Sequence, residues 1–310
     1  MRAIAIEGFG AAPALIDLPE PKPEPDEVLV RVRASSLNGF DAAVAAGLPK
    51  GMMEHRFPVV LGKDFAGIVE AVGDKVSRFI VGDEVFGVVM KPYVGDGGFA
   101  EYVCVGEGFG LTRIPAGLAI PAAGTLGLAG TAALDAVEAA APSTGQTVLV
   151  AGATGGVGGY AIQLAVARGA RVIASAKPGP GVDFVRDLGA AHTVDYTGDL
   201  AAQVRAIAPD GVHAVLHLAG DAAELADLLS TGGRLASTLG FGPDALARPD
   251  ATATAVKANP DRPTLDRLAV EAASGRLTVP ITRTYLLTEV PQALTDFTAG
   301  HIGKLAVIIV

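Results

Sequence analysis

The feature that most constrains the fold of this chain is a glycine-rich loop between an apolar strand and a helix. The strand is predicted over residues 147–153 and the helix over residues 160–170, with Gly152-Ala153-Thr154-Gly155-Gly156-Val157-Gly158 between them. Small residues are needed there because backbone N–H groups must approach a pyrophosphate, to which the helix N-terminus adds its positive dipole. The usual G-x-G-x-x-G pattern is met as A-x-G-x-x-G, so a tight turn without a ligand is the alternative. The surrounding strand–helix–strand unit favours a dinucleotide, with contacts expected from Ala153, Thr154, Gly155, Gly156 and Val157.

The end of the next predicted strand, residues 171–176, indicates which dinucleotide binds. NAD sites usually carry an Asp or Glu at this place to hold the ribose hydroxyls. Here the strand ends with Ser175-Ala176-Lys177, and the first carboxylate after it is Asp183. Ser175 and Lys177 could bind a 2′-phosphate, although Lys177 could also be a solvated loop lysine. The missing carboxylate favours NADPH.

The order of the predicted elements indicates the fold class. Strands and helices alternate from about residue 120 to Val256, which predicts a parallel sheet covered on both faces. The first hundred residues show short β-prone runs separated by Gly, Pro and Asp, and the last fifty return to mixed helix and strand. We therefore expect an α/β protein with a doubly wound sheet of the Rossmann type and a β-rich domain onto which the C-terminal segment folds.

Composition excludes several classes of function. The chain has 24 Lys and Arg against 33 Asp and Glu, and its net charge of -9 argues against nucleic acid and anionic membranes as partners. The one cysteine, Cys104, excludes an intramolecular disulfide and a zinc site built from several cysteines. Cys104 lies in a β-prone run, so we expect a small core residue rather than a nucleophile.

No segment predicts export or membrane insertion. Glu7 interrupts what would be the apolar core of a signal peptide. The longest uncharged stretch, residues 114–134, contains Pro115, Pro121 and several glycines, which make a poor membrane helix. We expect a soluble protein of the cytoplasm.

Several longer segments carry a family resemblance when they are taken in order. They are residues 27–41 (EVLVRVRASSLNGFD), 57–87, 97–103 (GGFAEYV), 128–137 (LAGTAALDAV), the glycine loop and 300–310 (GHIGKLAVIIV). Together they resemble a medium-chain dehydrogenase/reductase of the zinc-independent quinone oxidoreductase (zeta-crystallin-like) branch. The resemblance implies a GroES-like β domain over residues 1–119 and 259–310 and a Rossmann NADP-binding domain over residues 120–258. It also implies an active site in the cleft between the domains and a homodimer formed through the edges of the Rossmann sheets.

The zinc alcohol dehydrogenases of the same superfamily offer a contrast in metal ligands. Asn38 occupies the position of their first ligand, a Cys, and Gly62-Lys63-Asp64 replaces the G-H-E motif that holds the second. The third ligand position falls near Gly127, which has no side chain, and the four-cysteine structural zinc lobe is absent. We therefore expect no metal.

The same comparison implies a reaction and its residues. Hydride would pass from NADPH to a quinone or to the β-carbon of an α,β-unsaturated carbonyl, with protonation from solvent as one route. We expect Asn38 and Lys63 to face the nicotinamide and substrate, although Lys63 could instead form a salt bridge with Asp64 or Asp41. Asp41 is expected to orient the Asn38 loop, and Tyr93 either lines the pocket or lies at the surface. Further cofactor contacts are expected, from family position for Thr131 and from the ends of later strands for Leu218, Ala219, Thr238, Leu239 and Gly240.

Other interpretations remain open at this point. His213 and His217 have a metal-like H-x-x-x-H spacing, but a strand would separate them by roughly 13 Å at about 3.3 Å per residue, so we expect core or ladder histidines. An enoyl-thioester reductase of a polyketide or fatty-acid pathway would use the same scaffold. The acidic balance of the chain does not suit a phosphopantetheine arm. A non-catalytic NADPH-binding protein is the third possibility.

Overall fold

A computed structural model describes residues 1–310. The strands, in chain order, are β1 (Arg2–Ile6), β2 (Ala14–Asp17), β3 (Glu27–Ser36), β4 (Val59–Val60), β5 (Asp64–Val72), β6 (Glu84–Val88), β7 (Tyr102–Gly106), β8 (Leu111–Arg113), β9 (Thr147–Ala151), β10 (Arg171–Ser175), β11 (His192–Val194), β12 (Val212–His217), β13 (Leu229–Ser237), β14 (Thr252–Ala255), β15 (Ile281–Leu286) and β16 (Lys304–Ile308). The helices are α1 (Gly39–Ala45), α2 (Ile120–Ala123), α3 (Gly127–Ala140), α4 (Gly156–Ala167), α5 (Pro180–Asp187), α6 (Leu200–Ile207), α7 (Ala222–Ala226), α8 (Arg262–Ala273) and α9 (Val290–Ala299). None of these helices combines the length and the apolar character that crossing a membrane requires.

The chain divides into two compact units, and the second comprises residues 130–259. Its six strands form one sheet in the order β11-β10-β9-β12-β13-β14, and every neighbouring pair is parallel. This is the strand order of a Rossmann sheet, so the predicted fold class is confirmed. All five residues of β9 are buried, which is why this strand reads as a continuous apolar run.

Strand β9 lies at the centre of this sheet, with β10 on one side and β12 on the other. Chain connections therefore leave β9 and its neighbours in opposite directions, which opens a crevice at the carboxyl ends of these strands. The glycine loop follows β9 directly and leads into α4. The fold thus places the loop where doubly wound sheets bind ligands.

The first unit comprises residues 1–129 and 260–310 and is built around a seven-stranded sheet. Its strand order is β15-β16-β3-β5-β6-β8, and β7 pairs with β3 as well. A smaller sheet, β2-β1-β4, is antiparallel throughout. Strand β16 pairs with β3 in antiparallel register, Val307 opposite Ser35, so the C-terminal segment completes the sheet begun near the N-terminus.

The first unit extends farther along the chain than the sequence suggests. The expected boundary after residue 119 lies ten residues before the observed division after Ala129. The reason is that α2 and the first turn of α3 pack on the strands of the first unit. A Cβ on Gly124 would lie 2.8 Å from the Ala34 side chain, and the Leu128 N–H donates to Asp64 Oδ1 over 2.7 Å.

Candidate active site and cofactor loop

The glycine loop between β9 and α4 has the backbone geometry that its small residues predict. Gly152 has φ +86°, a left-handed conformation that side chains rarely adopt. A Cβ on Gly158 would meet the carbonyl oxygens of Gly152 and Ala153 at 2.4 and 2.5 Å, so only glycine allows α4 to approach β9 this closely. Gly155, which caps α4, has only Gly152 O near its missing side chain, at 3.6 Å. The free N–H groups of the helix start are therefore open to a ligand.

A large cavity lies in front of this loop within the second unit. Its volume is about 740 Å³, within the range of small-molecule and cofactor sites. The lining residues follow the carboxyl ends of β9, β10, β11 and β12, and those used below are Gly152, Thr154, Ser175, Tyr196, Arg205 and Ala219. The cavity and the open helix start fit the pyrophosphate and adenosine parts of a dinucleotide.

The end of β10 faces this cavity through Ser175. The hydroxyl of Ser175 accepts a hydrogen bond from the Gly152 N–H over 2.9 Å, and its own proton remains available to a ligand. Lys177 is exposed and does not line the cavity. Tyr196 and Arg205 line it instead, and both were missed from the sequence. The position of Tyr196, two residues after β11, is the signal that could have found it, whereas Arg205 lies inside a helix without any motif.

The loops after β12 and β13 hold the remaining expected cofactor contacts. Ala219 lines the cavity, and the Leu218 N–H donates to Ala151 O at the end of β9 over 3.0 Å. Thr238, Leu239 and Gly240 follow β13 and do not line the cavity. They form a turn around the Ser237 hydroxyl, which accepts the Leu239 N–H over 3.1 Å.

The other residues expected to contact the cofactor differ in their burial and in their free hydrogen-bonding groups. Thr131 in α3 is fully buried, and its hydroxyl has no hydrogen-bond partner in the protein. An unpartnered buried hydroxyl is costly, which fits a group that bonds a ligand. Ala153 is also fully buried, so it supports the loop with its side chain, while Gly156 and Val157 begin α4 with partly open positions.

In the first unit, Lys63 lies in a small pocket between α1 and the chain before β5. Its Nζ donates to Val89 O over 2.9 Å and lies 5.1 Å from the centre of the Phe40 ring. No carboxylate lies within 4.0 Å of this nitrogen, so the salt bridge to Asp41 or Asp64 is not formed. An ammonium carries three donors, and two of those on Lys63 remain without a partner in the protein. Burial lowers the pKa of Lys63, and the charges of Asp41 and Asp96 oppose that shift.

Asp41 lines the same pocket from the first turn of α1. Its Oδ2 accepts the Asn38 N–H over 2.9 Å, which caps the start of the helix and orients the Asn38 segment. Burial and, after it, the nearby charge of Asp64 raise the pKa of Asp41 to about 7, although the Asn38 N–H, Lys304 and Lys63 oppose the rise. Asp41 therefore titrates close to neutral pH.

The side chain of Asn38 is buried and used within the protein. Its Nδ2 donates to Asp64 Oδ2 over 2.8 Å and to Ser36 O over 3.3 Å, which occupies both amide protons. Its Oδ1 accepts from Lys304 Nζ over 2.8 Å. Asn38 therefore has no free donor for a substrate, and its amide bridges an acidic and a basic side chain.

Asp64 and Lys304 form a buried pair that sequence reasoning missed. Their exposed side-chain fractions are 0% and 2%, and Lys304 Nζ lies 3.6 Å from Asp64 Oδ2. Asp64 also accepts from the Ser36 hydroxyl, from Asn38 and from the Leu128 N–H. The motif Gly62-Lys63-Asp64 pointed to this place, but no local pattern connects it with Lys304.

Tyr93 lies beside the pocket rather than on its wall. Its hydroxyl donates to Asp96 over 2.9 Å, and Asp96 itself lines the Lys63 pocket. The Arg56 guanidinium stacks on the Tyr93 ring with its carbon 3.6 Å from the ring centre. Burial and the hydrogen bond to Asp96 raise the pKa of Tyr93. Tyr93 therefore acts on the pocket only through Asp96.

The histidines with metal-like spacing have other partners. His213 and His217 lie on strand β12, as expected from the sequence; His213 Nδ1 accepts the Thr147 N–H, and His217 bonds Ser237 and Gly220. No group of three or more His, Cys, Asp and Glu side chains is arranged to hold a metal ion. A Cβ on Gly127 would lie 2.9 Å from Asp64 Oδ1, so Asp64 fills the space beside that position. Cys104 is buried in β7.

Comparison with known proteins identifies the family. Residues 24–116 match the alcohol dehydrogenase GroES-like domain, and residues 156–257 match the zinc-binding dehydrogenase domain. The chain is 32% identical over 228 residues to a chloroplast envelope quinone oxidoreductase homolog of Arabidopsis thaliana, covering 71% of this chain and 68% of that protein. It is 40% identical over 217 residues to a mycocerosic acid synthase-like polyketide synthase of Mycobacterium tuberculosis, covering 68% of this chain and 10% of that one.

A solved structure extends the likeness to the whole chain. The quinone oxidoreductase of Coxiella burnetii superimposes with a TM-score of 0.91 at 28% identity, covering 100% of this chain and 99% of that one. The two domain matches, the Rossmann strand order and the dinucleotide loop agree with this likeness. The chain therefore belongs to the medium-chain dehydrogenase/reductase superfamily, as an oxidoreductase of the quinone oxidoreductase type.

Proposed function

We propose that this chain is a zinc-independent reductase that transfers hydride from NADPH to a quinone or to the β-carbon of an α,β-unsaturated carbonyl. The observation that carries the proposal is the chemistry at the positions matching the zinc ligands of related alcohol dehydrogenases. Asn38 is bonded on both sides to Asp64 and Lys304, and Lys63 presents an ammonium instead of a ligand. The Lys63 ammonium suits a developing negative charge on oxygen, whereas the residues at these positions offer no set of metal ligands.

The second unit supplies the cofactor side of the proposal. NADPH, when bound, would supply the hydride that reduces the acceptor. The start of α4 and the glycine loop would hold the pyrophosphate through backbone N–H groups, and Thr154 and Ala219 line the adjoining cavity wall. The Thr131 hydroxyl, which has no partner in the protein, offers a hydrogen bond to the nicotinamide end.

In the proposed reaction, the Lys63 ammonium stabilises the negative charge that develops on the acceptor oxygen. When hydride adds to the β-carbon of an enone, the electron pair of the double bond moves to the carbonyl oxygen, and solvent protonates the α-carbon. With a quinone, the hydride and one proton from solvent together convert the two carbonyl groups into the two hydroxyls of a hydroquinone. The two unpartnered N–H donors of Lys63 would bond such an oxyanion in a half-buried pocket, where the attraction between opposite charges is stronger than in water.

The proposal is tested by following nicotinamide absorbance with the purified protein in the presence of a chelator. NADPH and NADH are each mixed with a quinone, a short enone and an enoyl thioester. Consumption of NADPH with the quinone or the enone supports the proposal. Loss of activity on adding the chelator contradicts zinc independence, and binding of NADPH without consumption of any acceptor indicates a non-catalytic cofactor-binding protein.

Lys63→Ala tests the role of the ammonium. Loss of one preorganised donor to an oxyanion lowers kcat by about 100-fold or more in well-studied enzymes, so we expect a fall of that size. Lys75→Ala is the control, because Lys75 is exposed on the turn after β5 and its side chain touches no pocket. Unchanged turnover in Lys63→Ala would remove Lys63 from the mechanism.

The preference for NADPH over NADH rests on Ser175 and Lys177 and on the missing carboxylate after β10. Ser175→Asp would place a carboxylate on the cavity wall, beside the Gly152 N–H. We expect the ratio of kcat/KM values for NADPH and NADH to fall at least tenfold, because a carboxylate repels a 2′-phosphate and bonds ribose hydroxyls. Lys177→Ala tests whether Lys177 contacts the 2′-phosphate or is a solvated loop lysine. The ratio of kcat/KM values for NADPH and NADH should fall in the first case and stay unchanged in the second.

An enoyl-thioester reductase is the second candidate function. The observation that favours it is the 40% identity to a polyketide synthase. In the same assay, consumption of NADPH with the enoyl thioester and not with the quinone or the enone would select this function.

A further inference from the structure

Lys304 is a buried cation whose every contact lies within the first unit. It is the first residue of β16, and its side chain is 2% exposed. Its Nζ donates to Leu37 O over 2.9 Å and to Asn38 Oδ1 over 2.8 Å, with Asp64 Oδ2 3.6 Å away. An ammonium in the protein interior is costly unless its donors are satisfied, and these three oxygens meet that need.

The contacts of Lys304 converge on the short segment that precedes α1. Leu37 and Asn38 connect the end of β3 to the first residue of the helix, Gly39. Lys304 bonds the backbone of one and the side chain of the other, and Asp64 holds the opposite end of the Asn38 amide. This segment is therefore fixed from both sides by charged groups on β16 and β5.

The first turn of α1 carries two walls of the Lys63 pocket. Phe40 and Asp41 both line the pocket, and Asp41 also accepts the Asn38 N–H. The Phe40 ring lies 5.1 Å from Lys63 Nζ. A shift of Asn38 would therefore move both side chains relative to the Lys63 ammonium, because only one residue separates Asn38 from Phe40.

We propose that Lys304 is a positioning residue of the reductase, which sets the geometry of the Lys63 pocket by anchoring Leu37 and Asn38, without itself touching acceptor or cofactor. This inference rests on the proposed function. An apolar residue of similar volume could fill the same place in β16 without the desolvation cost of an ammonium. The charge is explained by the two oxygens it fixes, since an apolar side chain could hold neither.

The test compares three variants in turnover, NADPH binding and thermal unfolding. Lys304→Met keeps the length of the side chain and removes its donors, and Lys304→Arg keeps a charge. Val307→Ala is the matched control, because Val307 is fully buried in the same strand and belongs to the apolar core of the first unit. NADPH binding is followed by nicotinamide fluorescence, which reports the second unit independently of the acceptor.

We expect Lys304→Met to lower kcat/KM for the acceptor at least tenfold, mainly through kcat, because small displacements of positioning groups have effects of about this size or more. The dissociation constant of NADPH should stay within about twofold, because the glycine loop and its cavity lie in the other unit. Val307→Ala should lower the midpoint of thermal unfolding yet keep kcat/KM within about twofold. Lys304→Arg should recover part of the lost kcat.

Three outcomes would overturn the inference. One is a folded Lys304→Met protein with the kcat/KM of the wild type, and another is equal losses in Lys304→Met and Val307→Ala. If Lys304→Met does not fold, the double variant Lys304→Met/Asp64→Asn, which removes both buried charges, takes its place. The third outcome is wild-type turnover in that double variant. A wild-type protein that turns over no acceptor refutes the proposed function and this inference with it. An active wild type with an unaffected Lys304 variant refutes the inference alone.

Discussion

Asp41→Asn should stabilise the protein at alkaline pH, because the wild-type carboxyl is buried where its charge is unfavourable. Burial, followed by the charge of Asp64, raises the pKa of Asp41 from 3.8 to about 7. Asparagine has nearly the same shape and can still accept the Asn38 N–H through its Oδ1. The substitution therefore removes the ionisation with little change in packing.

The direction and size of the effect follow from the two pKa values. The folded state binds the Asp41 proton more tightly than the unfolded state, so its stabilising contribution is complete below about pH 4 and is lost as the pH rises towards 7. A shift of about 3 units at about 1.4 kcal/mol each gives a loss of about 4 kcal/mol above pH 7. Between about pH 5.5 and about pH 8 the expected change is about 2 kcal/mol, because about 1.5 units of that range lie below the folded pKa.

Urea unfolding followed by circular dichroism at about pH 5.5 and about pH 8 measures this difference. The free energy of unfolding of Asp41→Asn, minus that of the wild type, should be about 2 kcal/mol larger at the higher pH than at the lower. Val44→Ala is the control, because Val44 is a buried apolar residue of the same helix and its loss should cost the same at both pH values. A difference between Asp41→Asn and the wild type that is equal at both pH values would refute the reasoning.

Two further predictions concern the glycine loop and the cysteine. Gly158→Ala should lower the free energy of unfolding by about 1–3 kcal/mol and weaken NADPH binding, because its Cβ would lie 2.4 Å from the Gly152 carbonyl oxygen. Thermal unfolding measures the first effect and nicotinamide fluorescence the second, and a variant unchanged in both would contradict the close approach of α4 to β9. Burial raises the pKa of Cys104 to about 12, so at about pH 8 only about one thiol in ten thousand is ionised. A thiol-disulfide reagent should therefore modify Cys104 only after unfolding, and rapid modification of the folded protein would contradict this prediction.

The fold of the second unit could be predicted from local patterns. Alternating apolar runs and helical segments gave the strands β9 to β14, and the structure joins them in the Rossmann order. The segment containing His213 and His217 also forms a strand as predicted, and five of its six residues are buried, as is usual for a central strand of a parallel sheet. The observed division after Ala129 lies ten residues beyond the boundary expected from the sequence, since α2 packs on β3.

The candidate site could be predicted only in part. The motif at Gly62-Lys63-Asp64 pointed to Lys63 and to a departure from zinc ligands, but the sequence offered Asp41 or Asp64 as salt-bridge partners for Lys63. The structure gives Lys63 the Val89 carbonyl and leaves the ion pair of Asp64 to Lys304. Lys63 lies just before β5 and bonds Val89 O, whereas Asp64 begins the strand and faces Lys304, so their adjacency in the sequence did not bring the two side chains together.

By itself the sequence determined the dinucleotide loop, the class of fold and the absence of the usual zinc ligands. Each of these depends on which residue types stand at a few neighbouring positions, because loop geometry and ligand chemistry are local requirements. Only the tertiary structure decided that Lys304, 266 positions from Asn38, would bond its amide and face Asp64. Whether a buried charge is tolerated depends on the oxygens around it, and those come together only when β16 pairs with β3.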